Sequence, residues 1–461
     1  MKTQVALFAT ALAAVLAAPR ALAQTTIPVG TARVDVTPDY PTRLVGYESR
    51  RAESEGVASR LKAVAIAVGA DDQAAVLVAV DNCAVGAPVV EQVAARLAKK
   101  AGIKRERLAV CSTHTHCAPG LAGTLDFIFG GGLPDDQRAR LAKYTAQLTD
   151  AIEKVALDAL ADRAPASLAW TQGRIDFAAN RRVLKNGKWV GFGVNPSGPT
   201  DPSVPVLRAV DAQGKVKAIV LGYACHCTTL GGEFNKICAD WAGYARDEIE
   251  KRNPGATALV VIGCGADANP EPRRGLDDAI HHGTALGSLV DGLVKSTMTP
   301  LPGRIDARLK RIELPLEKTP SRAELVALAA KPAAQGAFAR SLLERLDRGE
   351  TLPTSVPYVV QTWCFGDQMA MVFLAGEVVV DYALRIKWEA GADRLWVNAY
   401  SNDVPCYIPS RRVLSEGGYE ADFSMIYYGR PARFAPALED RILDAVHDLL
   451  PAPFDSPRPV K

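Results

Sequence analysis

The stretch Leu108-Ala109-Val110-Cys111-Ser112-Thr113-His114-Thr115-His116 decides how the chain is read. Its four apolar residues form a short run of the kind found in buried strands. The polar tail carries histidines at i and i+2, which share a face if the strand runs on. The same pattern recurs along the chain. The apolar run 74–80 ends in Asp81, 217–224 ends beside His226, and 256–262 runs into Gly263-Cys264-Gly265-Ala266-Asp267. Polar side chains that follow buried strands collect at carboxyl ends, where α/β proteins place their ligands. Imidazole is a common ligand for zinc and similar metals.

Segments of helical spacing separate these strands. Residues 88–100 set Val89, Val93 and Leu97 on one face. Residues 137–161, 239–251 and 280–295 read likewise, and 191–202 is a loop rich in Gly, Pro, Asn and Ser. Alternating strand and helix predicts an α/β fold of layered mixed β-sheets flanked by helices. After Pro302 the style changes. Residues 304–314 alternate like a half-exposed strand, and helices follow at 322–330 and 336–348. A hairpin, 357–365 with 368–374, turns at Gly366-Asp367. Gly376-Glu377 closes that strand and opens a helix, 394–399 is the last strand, and 438–450 is the final helix. There is no internal repeat and no convincing linker, so the chain reads as one domain built in two halves.

Composition narrows the function. The 461 residues carry 54 basic against 51 acidic groups, a net charge of +3, with 48% hydrophobic and 23% charged residues. No basic block or aromatic-basic interleaving points to nucleic acid. Lys2, the apolar run 5–18 and Ala21-Leu22-Ala23 read as a signal peptide over 1–23, so export to the periplasm or medium is expected. No later segment reaches the length of a transmembrane helix. Nine cysteines leave at least one unpaired within the chain. Cys225 and Cys227 flank His226 and Cys117 follows His116, which allows a metal site with cysteine, but small packing residues on buried strands are the preferred reading.

The chemistry-bearing residues each have a plain structural alternative. Of six histidines, His114, His116 and His226 stand at strand ends, as metal ligands or as satisfied structural residues. His281, His282 and His447 fall in helical stretches, on the surface or between helices. Glu377 could be a carboxylate favoured by a helix N-terminus. Asp267 and Asn269 could shape an Asx turn, and Asp81 could cap a loop. Tyr407 and Tyr419 could be packed aromatics.

Taken together, these segments resemble the neutral/alkaline ceramidase family, in its N-terminal catalytic domain. The resemblance is carried in order by Asp35-Val36-Thr37-Pro38, the run STHTHCAPG from Ser112 to Gly120, Asn180-Arg181, Asp201-Pro202 with Val206-Leu207-Arg208, and the run ACHCTTLGG from Ala224 to Gly232. It continues through Ala239-Asp240-Trp241-Ala242-Gly243, the run GADANP from Gly265 to Pro270, Gly376-Glu377, and Tyr407 to Tyr419-Glu420. It implies a single large catalytic domain over 24–461, without the C-terminal β-sandwich of larger members. It implies a zinc amidase that splits ceramide into sphingosine and a fatty acid. His114, His226, Glu377 and Tyr407 would be the zinc ligands, Tyr407 because it stands twelve residues before Tyr419. His116, Arg181 and Tyr419 would contact substrate, with Asp267 a further candidate for moving a proton. The partner is a small-molecule or lipid substrate; oligomeric state is left open.

Departures accompany the likeness. Gly263-Cys264 stands where larger members carry Ser-Asn, so no hydroxyl nucleophile is present there, and Cys227-Thr228 replaces a Pro-Thr pair. Another amide, ester or glycosidic substrate therefore stays open, as does a non-catalytic envelope binding protein.

Overall fold

Side chains along the strand Lys62–Val68 go alternately to two different cores. Ala63, Ala65 and Ala67 pack with Val89, Val93, Leu97, Ile152 and Val155, which belong to helices. Val64, Ile66 and Val68 pack with Trp363, Phe365, Met371 and Phe373, which belong to a second sheet. A strand buried on both faces reads as an unbroken apolar run, because the period-2 signal has no polar side to mark it.

This computed structural model describes residues 26–130 and 132–454; the expected leader, 1–23, lies outside the described residues. The larger sheet is built from β1 (Thr26–Asp35), β2 (Lys62–Val68), β3 (Ala75–Val80), β4 (Leu108–Ser112), β5 (Ala164–Arg174), β6 (Ser203–Asp211), β7 (Val216–Tyr223) and β8 (Thr257–Ile262). Their spatial order is β8-β7-β6-β5-β1-β2-β3-β4, with Thr299–Pro300 beside β5. Two similar halves meet at the antiparallel β1–β5 pair. In each half three antiparallel strands are followed by a helical crossover to a parallel edge strand. The crossovers are α1 (Ala87–Ala101), joining β3 to β4, and α3 (Asp240–Arg252), joining β7 to β8. The topology repeats although the sequence does not.

The helices form where their ends are specified. Pro88 opens α1, and Gly102, in the left-handed region, closes it. With α2 (Asp135–Ala161), α1 covers one half of the outer face, and α3 with α4 (Leu276–Lys295) covers the other. The smaller sheet runs β9 (Asp306–Pro315), β10 (Ser355–Phe365), β11 (Met369–Leu374) and β12 (Leu395–Asn398) in that spatial order. Trp363, Phe365, Met371, Phe373 and Trp396 on its inner face pack against Ile66, Leu77, Leu207 and Val220 of the larger sheet. Its outer face packs against α7 (Val380–Ala390) and α8 (Leu438–Leu449). The result is four layers: helix, sheet, sheet, helix. Between β9 and β10 stand α5 (Arg322–Ala329), opened by the Ser321–Glu324 capping box, and α6 (Ala333–Asp347).

Several expectations need correction. The strand through Ser112 does not run on to His116: it ends at Ser112, and His114 adopts φ 59°. Glu377 does not open a helix. Glu377–Val378 is a two-residue strand paired in parallel with Tyr407–Ile408, and α7 starts at Val380. The strand near 394–399 is therefore not the last. The carboxylate at the α7 N-terminus is Asp267, which accepts from Val380 N at 2.9 Å. Asp81 does not cap a loop: it is buried against Arg246 at 2.6 Å and accepts from Lys62 N at 2.9 Å.

Candidate metal centre

His114, His226 and Glu377 arrive at one point from the carboxyl ends of three strands, β4, β7 and β11. All three are buried. Past β4 the chain turns sharply: Thr113 N donates to Val80 O and His114 N to Asn82 O. A non-glycine residue at positive φ costs about 1 kcal/mol and marks a site held by its surroundings. The turn aims His114 inward, and Tyr400, itself at φ 50°, stacks on its ring at 4.3 Å. Gly376 makes the equivalent bend for Glu377. Its φ is 84°, and a Cβ there would meet Cys406 O at 2.8 Å, so only glycine lets 377–378 lie alongside 407–408.

Both imidazoles are locked in one tautomer. His114 Nδ1 donates to Cys83 O at 2.7 Å, and His226 Nδ1 donates to Gly265 O at 2.7 Å. Such backbone partners orient metal-binding histidines and leave Nε2 as the free lone pair. Those two Nε2 atoms lie 3.1 and 3.2 Å from the same oxygen, Glu377 Oε2. Apart from these two imidazoles no donor reaches that buried oxygen, whereas Oε1 accepts from Tyr428 OH. Two imidazole nitrogens and a carboxylate oxygen converging with no other donor near them fit a cation with N/O preference, which is the donor set of a catalytic zinc site. A neighbouring group, Cys83, His114 and His116, also lies within ligand distance, but it would draw on His114 Nδ1, already engaged at Cys83 O.

Charge within the cluster follows from burial and proximity. Burial opposes charge on His114, but Glu377 and Cys83 outweigh it and raise the group to about 10. Burial, with Arg181 and His114 nearby, lowers His226 to about 3. Burial alone would raise Glu377, yet the two histidines hold it well below the usual range. With no cation, the balance of these shifts favours an imidazolium at His114 beside a Glu377 carboxylate.

The other expected residues stand around this point. His116 Nε2 is 3.0 Å from His114 Nε2, and its Nδ1 is buried without a partner. Burial and the two neighbouring imidazoles push it well down, keeping it neutral. Gly46, at φ 106°, backs this ring, because a Cβ there would lie 2.5 Å from it. Tyr407 OH is 3.3 Å from His226 Nε2 and accepts from Arg181 at 3.1 Å. Burial, then Glu377, holds its phenol well above the ordinary value. Arg181 is fixed by Glu420 at 2.9 Å and lies over the Tyr407 and Tyr419 rings at 5.7 and 5.9 Å. Tyr419 packs edge-on against Tyr407 at 5.4 Å.

Asp267 sits apart from these groups. Its oxygens take Val380 N and, at 3.1 Å, Asn180 Nδ2, and burial then Asp381 raise it to about 7. All nine cysteines are buried and unpaired, as packing residues would be, and burial raises Cys264 well above an ordinary thiol. His282 is buried between helices and stacks on Phe177. Tyr428, Tyr400 and Glu420 were not anticipated. Glu420 lay beside Tyr419 in a matched segment, whereas nothing local marks Tyr428 in its 3-10 turn. A cavity of about 260 Å³ has Tyr428 in its wall, and another of about 610 Å³ shares Phe127 and Asp126 with it.

The comparisons agree with this architecture. A family profile described as neutral/alkaline non-lysosomal ceramidase, N-terminal, matches residues 28–269, just over half the chain. A structure described as "Ceramidase complexed with C2" superposes with TM-score 0.70 at 18% identity, over 94% of this chain and 77% of that one. The neutral ceramidase from Pseudomonas aeruginosa gives 0.69 at 20% identity, over 94% and 76%. A search of curated proteins gives no match. At these identities the structural likeness shows the fold.

Proposed function

The chain belongs to the neutral/alkaline non-lysosomal ceramidase family, and on that premise we propose that it is an exported zinc-dependent amidohydrolase cleaving the N-acyl bond of a ceramide-like lipid. The observation that carries the reading is the buried Glu377 Oε2 facing the Nε2 atoms of His114 and His226, with no other donor near it. His114, His226 and Glu377 would hold the ion, with Tyr407 as the fourth ligand. When bound, zinc supplies Lewis-acid chemistry that polarises a carbonyl and acidifies water.

The surrounding side chains have separate tasks. Arg181 would bring a permanent charge to the place where an amide oxygen becomes negative, among buried side chains, where such stabilisation is strong. Glu420 and Tyr407 fix its fork, so it does not reorganise during reaction. Tyr419 offers a second donor beside it. His116, kept neutral, would take a proton and return it to the leaving nitrogen. Asp267 is assigned a positioning role, because both oxygens are already occupied by Val380 N and Asn180 Nδ2.

The test is hydrolysis of a ceramide by the purified mature protein, with and without a chelator. Cleavage lost on chelation and restored by zinc supports the reading. Full activity in His114→Ala or His226→Ala would sink it. A zinc-loaded protein that leaves ceramide intact would shift the substrate to other amides or esters.

A further inference from the structure

We propose that the hairpin formed by Arg182–Lys185 and Lys188–Phe192, with the turn after it, is a docking surface for a phospholipid bilayer beside the metal centre. Nine large apolar residues are exposed among the described residues, and four of them gather here: Val190 at 55%, Phe192 at 52%, Val194 at 52% and Phe423 at 55%. Scattered apolar residues need no explanation, but a contiguous patch marks an interaction surface. The patch is held rigidly. Trp189 packs on Gly418, where a Cβ would lie 2.4 Å from the ring, and stands 5.8 Å from Phe423 and 5.6 Å from Phe192.

Charge names the occupant. No Asp or Glu occurs between 177 and 200. Arg181 and Arg182 turn inward to Glu420 and Glu416, whereas Lys185 and Lys188 stand at the hairpin turn, and neither pairs with a carboxylate among the described residues. Exposed aromatic and aliphatic side chains flanked by uncompensated lysines match the boundary between acyl chains and phosphate headgroups. The surface is also continuous with the chemistry. Phe192 lies 5.0 Å over Arg181 and 5.0 Å from Tyr419. A lipid leaving the bilayer at this point meets the groups that would bind its amide. The proposal rests on a lipid being the substrate, but docking is measurable without turnover.

The experiment is co-sedimentation of the zinc-loaded mature protein with vesicles of phosphatidylcholine alone or mixed equally with phosphatidylglycerol. The Val190→Ser/Phe423→Ser double variant is expected to bind both roughly tenfold more weakly, since two half-exposed apolar side chains no longer leave water. Lys185→Glu is expected to lose only the extra binding to the phosphatidylglycerol mixture. Neither change should alter the melting temperature or hydrolysis of a water-soluble short-chain N-acyl amide. Wild-type protein that ignores both vesicles, or a double variant that binds like wild type, overturns the proposal. So does a concentration-dependent dimer, abolished in the double variant, in a protein that ignores vesicles: the occupant is then a second copy. Vesicle binding without amide cleavage keeps the surface and refutes the amidase; cleavage of the soluble amide without vesicle binding does the reverse.

Discussion

Glu377→Gln separates a metal ligand from a structural carboxylate. The amide keeps a carbonyl to accept from Tyr428 and nearly the same volume, but removes the charge 3.1 and 3.2 Å from the two Nε2 atoms. Structural zinc sites bind with about 10–16 kcal/mol, so one ligand of four accounts for about 3–4 kcal/mol, a factor of roughly 10²–10³ in affinity. Zinc affinity is read by competition with a chromophoric chelator. At fixed zinc, a thousandfold loss removes about 4 kcal/mol of metal-linked stability, visible as a lost zinc-dependent rise in melting temperature. Metal-free variant and parent should melt nearly together, because His114 gives up its proton when the carboxylate goes. A variant that keeps zinc within tenfold of the parent, with parental turnover, refutes the assignment. A metal-free variant that fails to fold shows instead that Glu377 acts through packing.

Three further outcomes are expected. Arg181→Lys keeps the charge but not the fork joining Glu420 to Tyr407, so kcat/KM should fall about 10²–10³-fold with zinc content unchanged; activity within a few-fold of the parent counts against Arg181. Gly46→Ala places a Cβ at 2.5 Å from the His116 ring, and at φ 106° should lower turnover at least about tenfold while zinc is retained; parental turnover would show that His116 can move freely. Asp267, raised to about 7, binds more protons folded than unfolded between about pH 4 and 7, so its contribution to stability falls as pH rises through that window, by at most about 4 kcal/mol. Urea midpoints across that range should lose this slope in Asp267→Asn; an unchanged slope places the titration elsewhere.

What could be read from the sequence was whatever local pattern writes down. His114 and His226 follow short apolar runs of the kind found in buried strands, and the helices between them show their periodicity, so the α/β class and half the centre were visible. Glu377 was assigned the wrong element because its pairing partner, Tyr407–Ile408, lies about thirty residues on, and two-residue strands leave no periodic trace. Convergence of the two histidines of the 114–116 stretch was expected from strand geometry, yet it arises from a left-handed turn that strand propensity does not foresee. The alanine-rich β2 was not read as a strand: buried on both faces it shows no alternation, and no histidine or carboxylate of the site follows it directly. Tyr428 reaches Glu377 from a 3-10 turn, a contact made only by tertiary packing.

The two sheets explain why the remaining half was hidden. His114 and His226 belong to the larger sheet, whereas Glu377 and Tyr407 come from the short strand pair beyond the smaller one. Neither half of the chain holds all four proposed ligands. The site exists only where the sheets are docked, with Trp363, Phe365 and Phe373 packed on Ile66 and Leu77. The centre is also internally unfavourable when empty of charge compensation, since three acceptors meet and one proton must be held among them. A bound cation would resolve that conflict and join the two halves. Metal binding and docking of the sheets should therefore be coupled, so that changes in the inter-sheet core weaken zinc affinity as they weaken the fold. Large-to-small changes at Phe373 are expected to cost about 3–5 kcal/mol in stability. A Phe373→Ala protein that stays folded and holds zinc like the parent would show instead that the two halves are joined independently of the site.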